Sequence, residues 1–291
     1  MGGVRALPLS RQKEPELAAS SKRGKRPKRT GLTAETADKH VLYQKSVQDP
    51  DTEAAFIERT YRKLRGRLPL SLREDFCGTA LLTTTWVKRG QDRTAIGVDI
   101  DPAVLDWGTR NNVSTLGTAA ERVTLHCQDV RAKGLARVDV VGAFNFSYWV
   151  FKTRDEMRAY FAHVRRGLKP DGVFLLDAYG GWESQEPMLE ARPVPGGFRY
   201  VWDQDTFDPI THRVVNHIHF EFRDGTKLER AFTYDWRYWT LPELRELLEE
   251  AGFRDVNVYW DTSKDDVHEE YKPRARAENQ PGWLAYIVAA T

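Results

Sequence analysis

The stretch "LREDFCGTALLTTTWVKRG", residues 72–90, decides how the chain reads. It opens as a strand, passes the acids Glu74 and Asp75, turns at Cys77-Gly78-Thr79, and runs on as an apolar helix that Gly90 ends. A phosphate-binding loop of the Walker type needs Gly-Lys-Ser/Thr, and none follows Gly78. A dinucleotide turn needs three glycines for close approach to pyrophosphate, and Phe76 and Ala80 stand in two of those places. The turn is therefore expected to hold a ligand that is not a phosphate.

Outward from this turn the chain alternates. Residues 51–66 carry apolar positions at Ala54, Phe56, Ile57, Tyr61 and Leu64, near helical spacing. "TAIGVDI" is an apolar, β-branched run too short for a buried helix, and "DPAVLDWGTRNN" restarts a helix with Pro102 in its first turn. "RVTLHCQDV" and "VDVVGAFNFSYWVF" read as strands, "TRDEMRAYFAHVRRGL" as a helix and "GVFLLDAYGG" as a fifth strand. Continuously apolar strands separated by helices predict a doubly wound α/β fold: a mostly parallel, seven-stranded sheet with helices on both faces. Beyond residue 181 the pattern changes. Three runs within about 182–239 alternate as antiparallel strands do, with turns at Asp208-Pro209 and Asp224-Gly225, so a β-rich insertion follows the fifth strand. Thr240, Glu243 and Gly252 then bracket a helix, and "DVNVYWD" and "WLAYIVAA" close the sheet.

The 291 residues, 41% hydrophobic, suffice for one large core. Residues 1–31 hold nine Lys or Arg against two Glu, a net of +7; with +2 for the whole chain, residues 32–291 carry −5. The tail lacks any apolar period and reads as disordered. Its segment 22–29 suits a nucleic-acid contact or a nuclear address; the remainder, 32–291, is read as one domain. No apolar run reaches membrane-spanning length, so a cytoplasmic protein without membrane contact is expected, or a nuclear one if the tail is an address. Cys77 and Cys127 sit in or beside strands, which predicts thiols rather than a disulfide framework. His217 and His219 share a strand face, but no third ligand stands at a compelling spacing, and no metal is expected.

In a doubly wound sheet the ligand lies beyond the carboxyl ends of the strands. Those ends carry Glu74, Phe76 and Gly78; Asp99 and Ile100; Gln128, Asp129 and Val130; Asn145 and Tyr148; and Tyr179. With the Cys-Gly-Thr turn, "GVDIDP", "CQD" and "LKPDGVFLLD", this order resembles the class I S-adenosylmethionine-dependent methyltransferases over roughly residues 40–180. The resemblance implies S-adenosyl-L-methionine as cofactor. Glu74, Phe76 and Gly78 would then hold its methionine end, Asp99 its ribose hydroxyls, Ile100 the adenine face, and Asp129 beside Gln128 and Val130 the adenine amine. Tyr43 would belong to a lid, and Asn145 would border both cofactor and acceptor. The cofactor itself is rich in donors and cationic, so acceptors should dominate its site. The insertion is similar to that of glycine N-methyltransferase-like enzymes, which implies a small-molecule methyl acceptor near Asn145, Phe146, Tyr148, Trp149, Tyr179, Tyr234, Arg237 and Tyr238. Of these, Arg237 among aromatics suits a substrate carboxylate, while Asn145, Tyr148 and Tyr179 complete the candidate catalytic set. Two other functions fit the sequence: an RNA or protein methyltransferase docked through the tail, and a non-catalytic cofactor-binding protein.

Overall fold

The computed structural model describes residues 31–263 and 270–291; the basic tail and its proposed contact at residues 22–29 lie outside the described residues. Elements follow in the order α1 (Lys39–Ser46), α2 (Pro50–Arg65), β1 (Ser71–Asp75), α3 (Leu81–Lys88), β2 (Thr94–Asp99), α4 (Pro102–Asn111), a 3-10 segment (Val113–Arg122), β3 (Val123–Cys127) and β4 (Val138–Ala143). Then come α5 (Arg154–Arg166), β5 (Leu168–Gly180), the insertion strands β6 (Met188–Val194), β7 (Phe198–Phe207), β8 (Arg213–Phe222) and β9 (Lys227–Arg237), and finally α6 (Leu241–Glu250), β10 (Asp255–Asp261), β11 (Tyr271–Pro273) and β12 (Trp283–Ala290).

The main sheet has the order β11-β10-β12-β5-β4-β1-β2-β3. β1 pairs in parallel with both β2 and β4, and β12 enters antiparallel between β5 and β10. The chain winds outward from β1 through β2 to β3, then returns to β4 on the other side, which puts the switch point beside β1. Eight strands replace the expected seven. The additional β11 is three residues long and ends on Pro273, too short for a periodic signal and suited to an edge. The insertion forms a separate antiparallel sheet β6-β7-β8-β9, four strands where the sequence predicts three. The sequence of β6 carries no strand signal because its side chains are mostly exposed or half-buried and include Pro193.

Local chemistry explains the ends. Asp49 caps α2, with Pro50 in the first turn and Gly66 closing it at φ 73°. Thr153 with Glu156, and Thr240 with Glu243, make reciprocal capping boxes on α5 and α6. α3 differs: Ala80 offers no side-chain cap, and the Thr83 N–H instead donates 2.8 Å to the Glu74 carboxylate at the end of β1. Under the sheet, Arg73 and Asp75 form an ion pair at 2.9 Å with side chains at most 1% exposed. The Tyr160 hydroxyl donates to Asp75 at 3.0 Å, and Arg73 Nη2 donates at 2.9 Å.

Candidate active site

The turn after β1 places three alternate residues in left-handed backbone: Phe76 at φ 58°, Gly78 at 51° and Ala80 at 57°. Glycine adopts this at no steric cost, whereas the two others each cost on the order of 1–2 kcal/mol. Phe76 and Ala80 therefore keep the conformation that glycine would give, and the surroundings hold them there. The Phe76 ring packs edge-on against Phe151 and Tyr160 at 6.0 and 5.8 Å. Ala80 N–H donates to the Cys77 carbonyl at 2.8 Å, and Asn112 Nδ2 to the Thr79 carbonyl at 2.7 Å. A Cβ on Gly108 would lie 2.4 Å from the Thr79 carbonyl oxygen, so α4 rests backbone-to-backbone on the turn. Above Gly78 the opposite holds: no heavy atom lies within 4 Å of a Cβ position, which leaves an open cradle.

Acceptors surround that cradle. Asp99 takes the Gly78 N–H on one oxygen at 2.8 Å and the Asp101 N–H on the other at 3.0 Å. Glu74 is buried, and desolvation pushes its carboxyl from its ordinary value near 4.5 up to about 8, against the Thr83 bonds and with help from Glu53. Glu53 comes from the buried face of α2 at 2% exposure and was not singled out in the sequence; an acid among Ala54, Phe56 and Ile57 is the signal that marks it. Farther along, Ile100 is 71% exposed, an apolar side chain left uncovered at a strand end. Gln128 Nε2 is buried without a hydrogen-bond partner. Val130 is packed in the core. Asp129 is clamped by Arg131 through bonds of 2.9 and 2.7 Å, which hold its carboxyl below the usual range.

Next to the cradle, between the two sheets, lies a narrow cleft, partly open to solvent, with about 30 Å³ free for a water-sized molecule. Asn145 and Phe146 line it from the loop after β4, Asp177 from β5, Tyr43 and Val47 from α1 and its end, and Leu284 from β12. Tyr200, Trp202, Ile218, Tyr234 and Trp236 come from one face of the insertion sheet, as the strand period of two requires. Asn145 and Phe146 both have φ 57°, which aims their N–H groups at the Asp177 carboxylate, 2.8 and 3.0 Å away. α1 covers the junction of cradle and cleft. Gln44 donates to the Thr79 hydroxyl at 2.8 Å, Trp107 of α4 donates to Asp38 at 2.7 Å, Tyr43 packs on Phe232 at 4.8 Å, and Arg192 of β6 donates to the Ser46 carbonyl. Burial pushes the Tyr43 hydroxyl up to about 12, although it shares a hydrogen bond with Tyr234.

Residues 77–174, from the turn to β5, match the family model described as "Methyltransferase domain". This segment is a methyltransferase domain. Solved structures agree on the fold of the domain with its insertion. The chain is 17% identical to a S-adenosylmethionine-dependent methyltransferase from Clostridium acetobutylicum ATCC 824, at a TM-score of 0.65 over 86% of this chain and 96% of that one. It is 17% identical to CalS10, an amino pentose methyltransferase from Micromonospora echinaspora, at 0.64 over 86% and 95%. The sugar N-methyltransferase KedS8 from Streptoalloteichus sp ATCC 53650 is 16% identical, at 0.59 over 96% and 99%. At such identities the likeness is one of fold. No curated protein matches the sequence.

The cleft gathers Tyr43, Asn145, Phe146 and Tyr234 among the residues singled out in the sequence. It does not gather the others. Tyr148 is fully buried and donates to the Asp177 backbone carbonyl at 2.7 Å; Tyr179 is stacked behind the cleft on Trp149 at 4.7 Å and accepts from Asn216. Trp149 and Tyr238 pack in the same layer. Arg237 is a correction to the substrate-carboxylate reading. Its guanidinium donates to Glu243 at 2.9 Å and to the Lys152 carbonyl at 3.1 Å and lies 3.8 Å over the Trp239 ring, tying β9 to the cap of α6. Arg237→Ala is expected to lose roughly 1–2 kcal/mol of stability and to leave cofactor affinity within twofold, as thermal melts and calorimetry would read; lost affinity with an unchanged melt would return Arg237 to the site. His217 and His219 bond Asp205 and Asp203 at 3.3 and 3.1 Å, and among the described residues no group of three His, Cys, Asp or Glu could hold a metal. Among those residues, too, no helix is long and apolar enough to cross a membrane.

Proposed function

We propose that the protein transfers the methyl group of S-adenosyl-L-methionine to a small-molecule acceptor bound in the cleft between the two sheets. The observation that carries this reading is the open cradle at Gly78, whose N–H is held by Asp99, together with the buried acids Glu74 and Glu53 near the end of β1 and an aromatic cleft at the end of β4. The residues fit the cofactor: Asp99 suits two ribose hydroxyls, the exposed Ile100 an adenine face, the unpartnered Gln128 amide an adenine ring nitrogen, and Glu74 with Glu53 the ammonium. Asp129 would serve the adenine amine only while shared with Arg131. Bound there, the cofactor supplies an electrophilic methyl on a sulfonium. The chain's own part is to orient the acceptor, exclude water and stabilise positive charge, with Tyr43 and Asn145 at the border of the two halves. The sugar and amino pentose methyltransferases of the same fold support a small acceptor. Docking of RNA through residues 22–29 has no supporting feature among the described residues.

The test combines transfer and binding. Labelled methyl should pass from the cofactor to at least one compound in a screen of amines, phenols and carboxylic acids, and not to RNA. Binding should also expel a proton. Between about 4.5 and 8 the folded protein holds a proton on Glu74 that the unfolded chain has lost, so stability falls as pH rises through that window. A cationic ligand favours the ionised carboxylate, so cofactor affinity should rise with pH up to about 8 and then level. Calorimetry at neutral pH in buffers of different ionisation enthalpy reads the proton directly, and Glu74→Gln should abolish its release. A wild-type protein that binds no cofactor would end the reading.

A further inference from the structure

The cleft is walled by six aromatic rings, those of Tyr43, Phe146, Tyr200, Trp202, Tyr234 and Trp236, and by one carboxylate, Asp177. Trp236 and Tyr234 stack at 4.3 Å, and Phe146 meets Trp236 edge-on at 6.2 Å, so several π faces and edges converge. Such faces attract cations and offer little to anions. Polar partners are scarce: beside Asp177 there are the Asn145 side chain and tyrosine hydroxyls, two of which bond each other. A polyhydroxylated sugar body would leave most of its hydroxyls without partners there, at a cost for each.

We infer that the methyl acceptor is an amine on an apolar body, received as its ammonium ion by the aromatic walls and Asp177; this rests on the methyltransferase reading above. The chemistry balances without a further reactant. The ammonium releases one proton to solvent. The neutral nitrogen's lone pair then forms the N–C bond while the C–S bond breaks and its electrons return to sulfur. Positive charge thereby passes from sulfur to nitrogen, and walls that stabilise a cation serve both ends of that passage and the state between them.

The probe is choline against its neutral isostere 3,3-dimethylbutan-1-ol, titrated by calorimetry into the full chain saturated with S-adenosylhomocysteine. Choline should bind at least tenfold more tightly. Asp177→Asn and, separately, Trp236→Leu should each reduce that preference at least fivefold, while Trp236→Phe keeps most of it. Asp177 also holds the Asn145 and Phe146 amides, so a melt accompanies each variant, and Trp236→Leu decides if Asp177→Asn does not fold. Equal affinities, preference for the alcohol, or binding of neither compound overturns the inference. Failure of the saturating step, with no S-adenosylhomocysteine bound, instead overturns the proposed function.

Discussion

Replacing Arg73 by methionine is expected to lower the melting temperature by roughly 6–20 °C. The guanidinium is the charge partner of Asp75 in a layer where both side chains are at most 1% exposed. Removing one member of such a pair leaves an uncompensated buried charge, at about 3–5 kcal/mol, and each kcal/mol moves the midpoint of a domain this size by about 2–4 °C. The Nε–Oδ1 approach of 2.9 Å lacks hydrogen-bond geometry, and a Cβ on Gly167 would meet Arg73 Nη1 at 2.5 Å, so the pair is tightly confined rather than ideally bonded. Arg73→Met combined with Asp75→Leu should therefore recover most of the loss, apart from the Tyr160 hydroxyl that then lacks its acceptor. A single variant melting within 2 °C of wild type would show that the carboxyl is compensated elsewhere.

Asp99→Ala should weaken cofactor binding at least tenfold, about 1.4 kcal/mol. Two losses combine. On the proposed reading the ribose hydroxyls would lose a charged acceptor, and the Gly78 N–H loses the oxygen that fixes it at 2.8 Å. Asp99→Asn keeps one oxygen for the Gly78 N–H but turns its NH2 toward the Asp101 N–H, so it should lose affinity with a small drop in melt, less than that of Asp99→Ala. Equal calorimetric affinity for wild type and Asp99→Ala would remove Asp99 from the binding site.

The alternating half of the fold was legible because its strands are continuously apolar and its helices carry their own start and stop signals, such as Pro102 opening α4 and Gly66 closing α2. α1 was not legible as a helix: "KHVLYQKS" buries only Leu42 and Ser46, so it has no stripe, and its capping acid Asp38 is an everyday surface residue. The strand-end acids were legible since each follows a run whose end is visible. The cleft was half legible. Asn145, Phe146 and Tyr234 follow from position, whereas Tyr200, Trp202 and Trp236 require the register of three paired strands to reveal that they face one way. Arg237 misled for the same reason: on β9 the side chains at 234 and 236 face the cleft, and the next residue must face away.

α1 has a kinetic meaning. The helix is two turns long, contributes two buried side chains, and is held by Gln44 to the cradle, by Asp38 to α4, and by Ser46 to the insertion. Such an element opens at far lower cost than the strands beneath it. Because one short latch fastens to both halves, the proposed reaction would have it lift for cofactor exchange and loosen the wall of the cleft in the same movement. Residence times of the two ligands would then be linked, and the spent cofactor and the methylated product would share a single exit event.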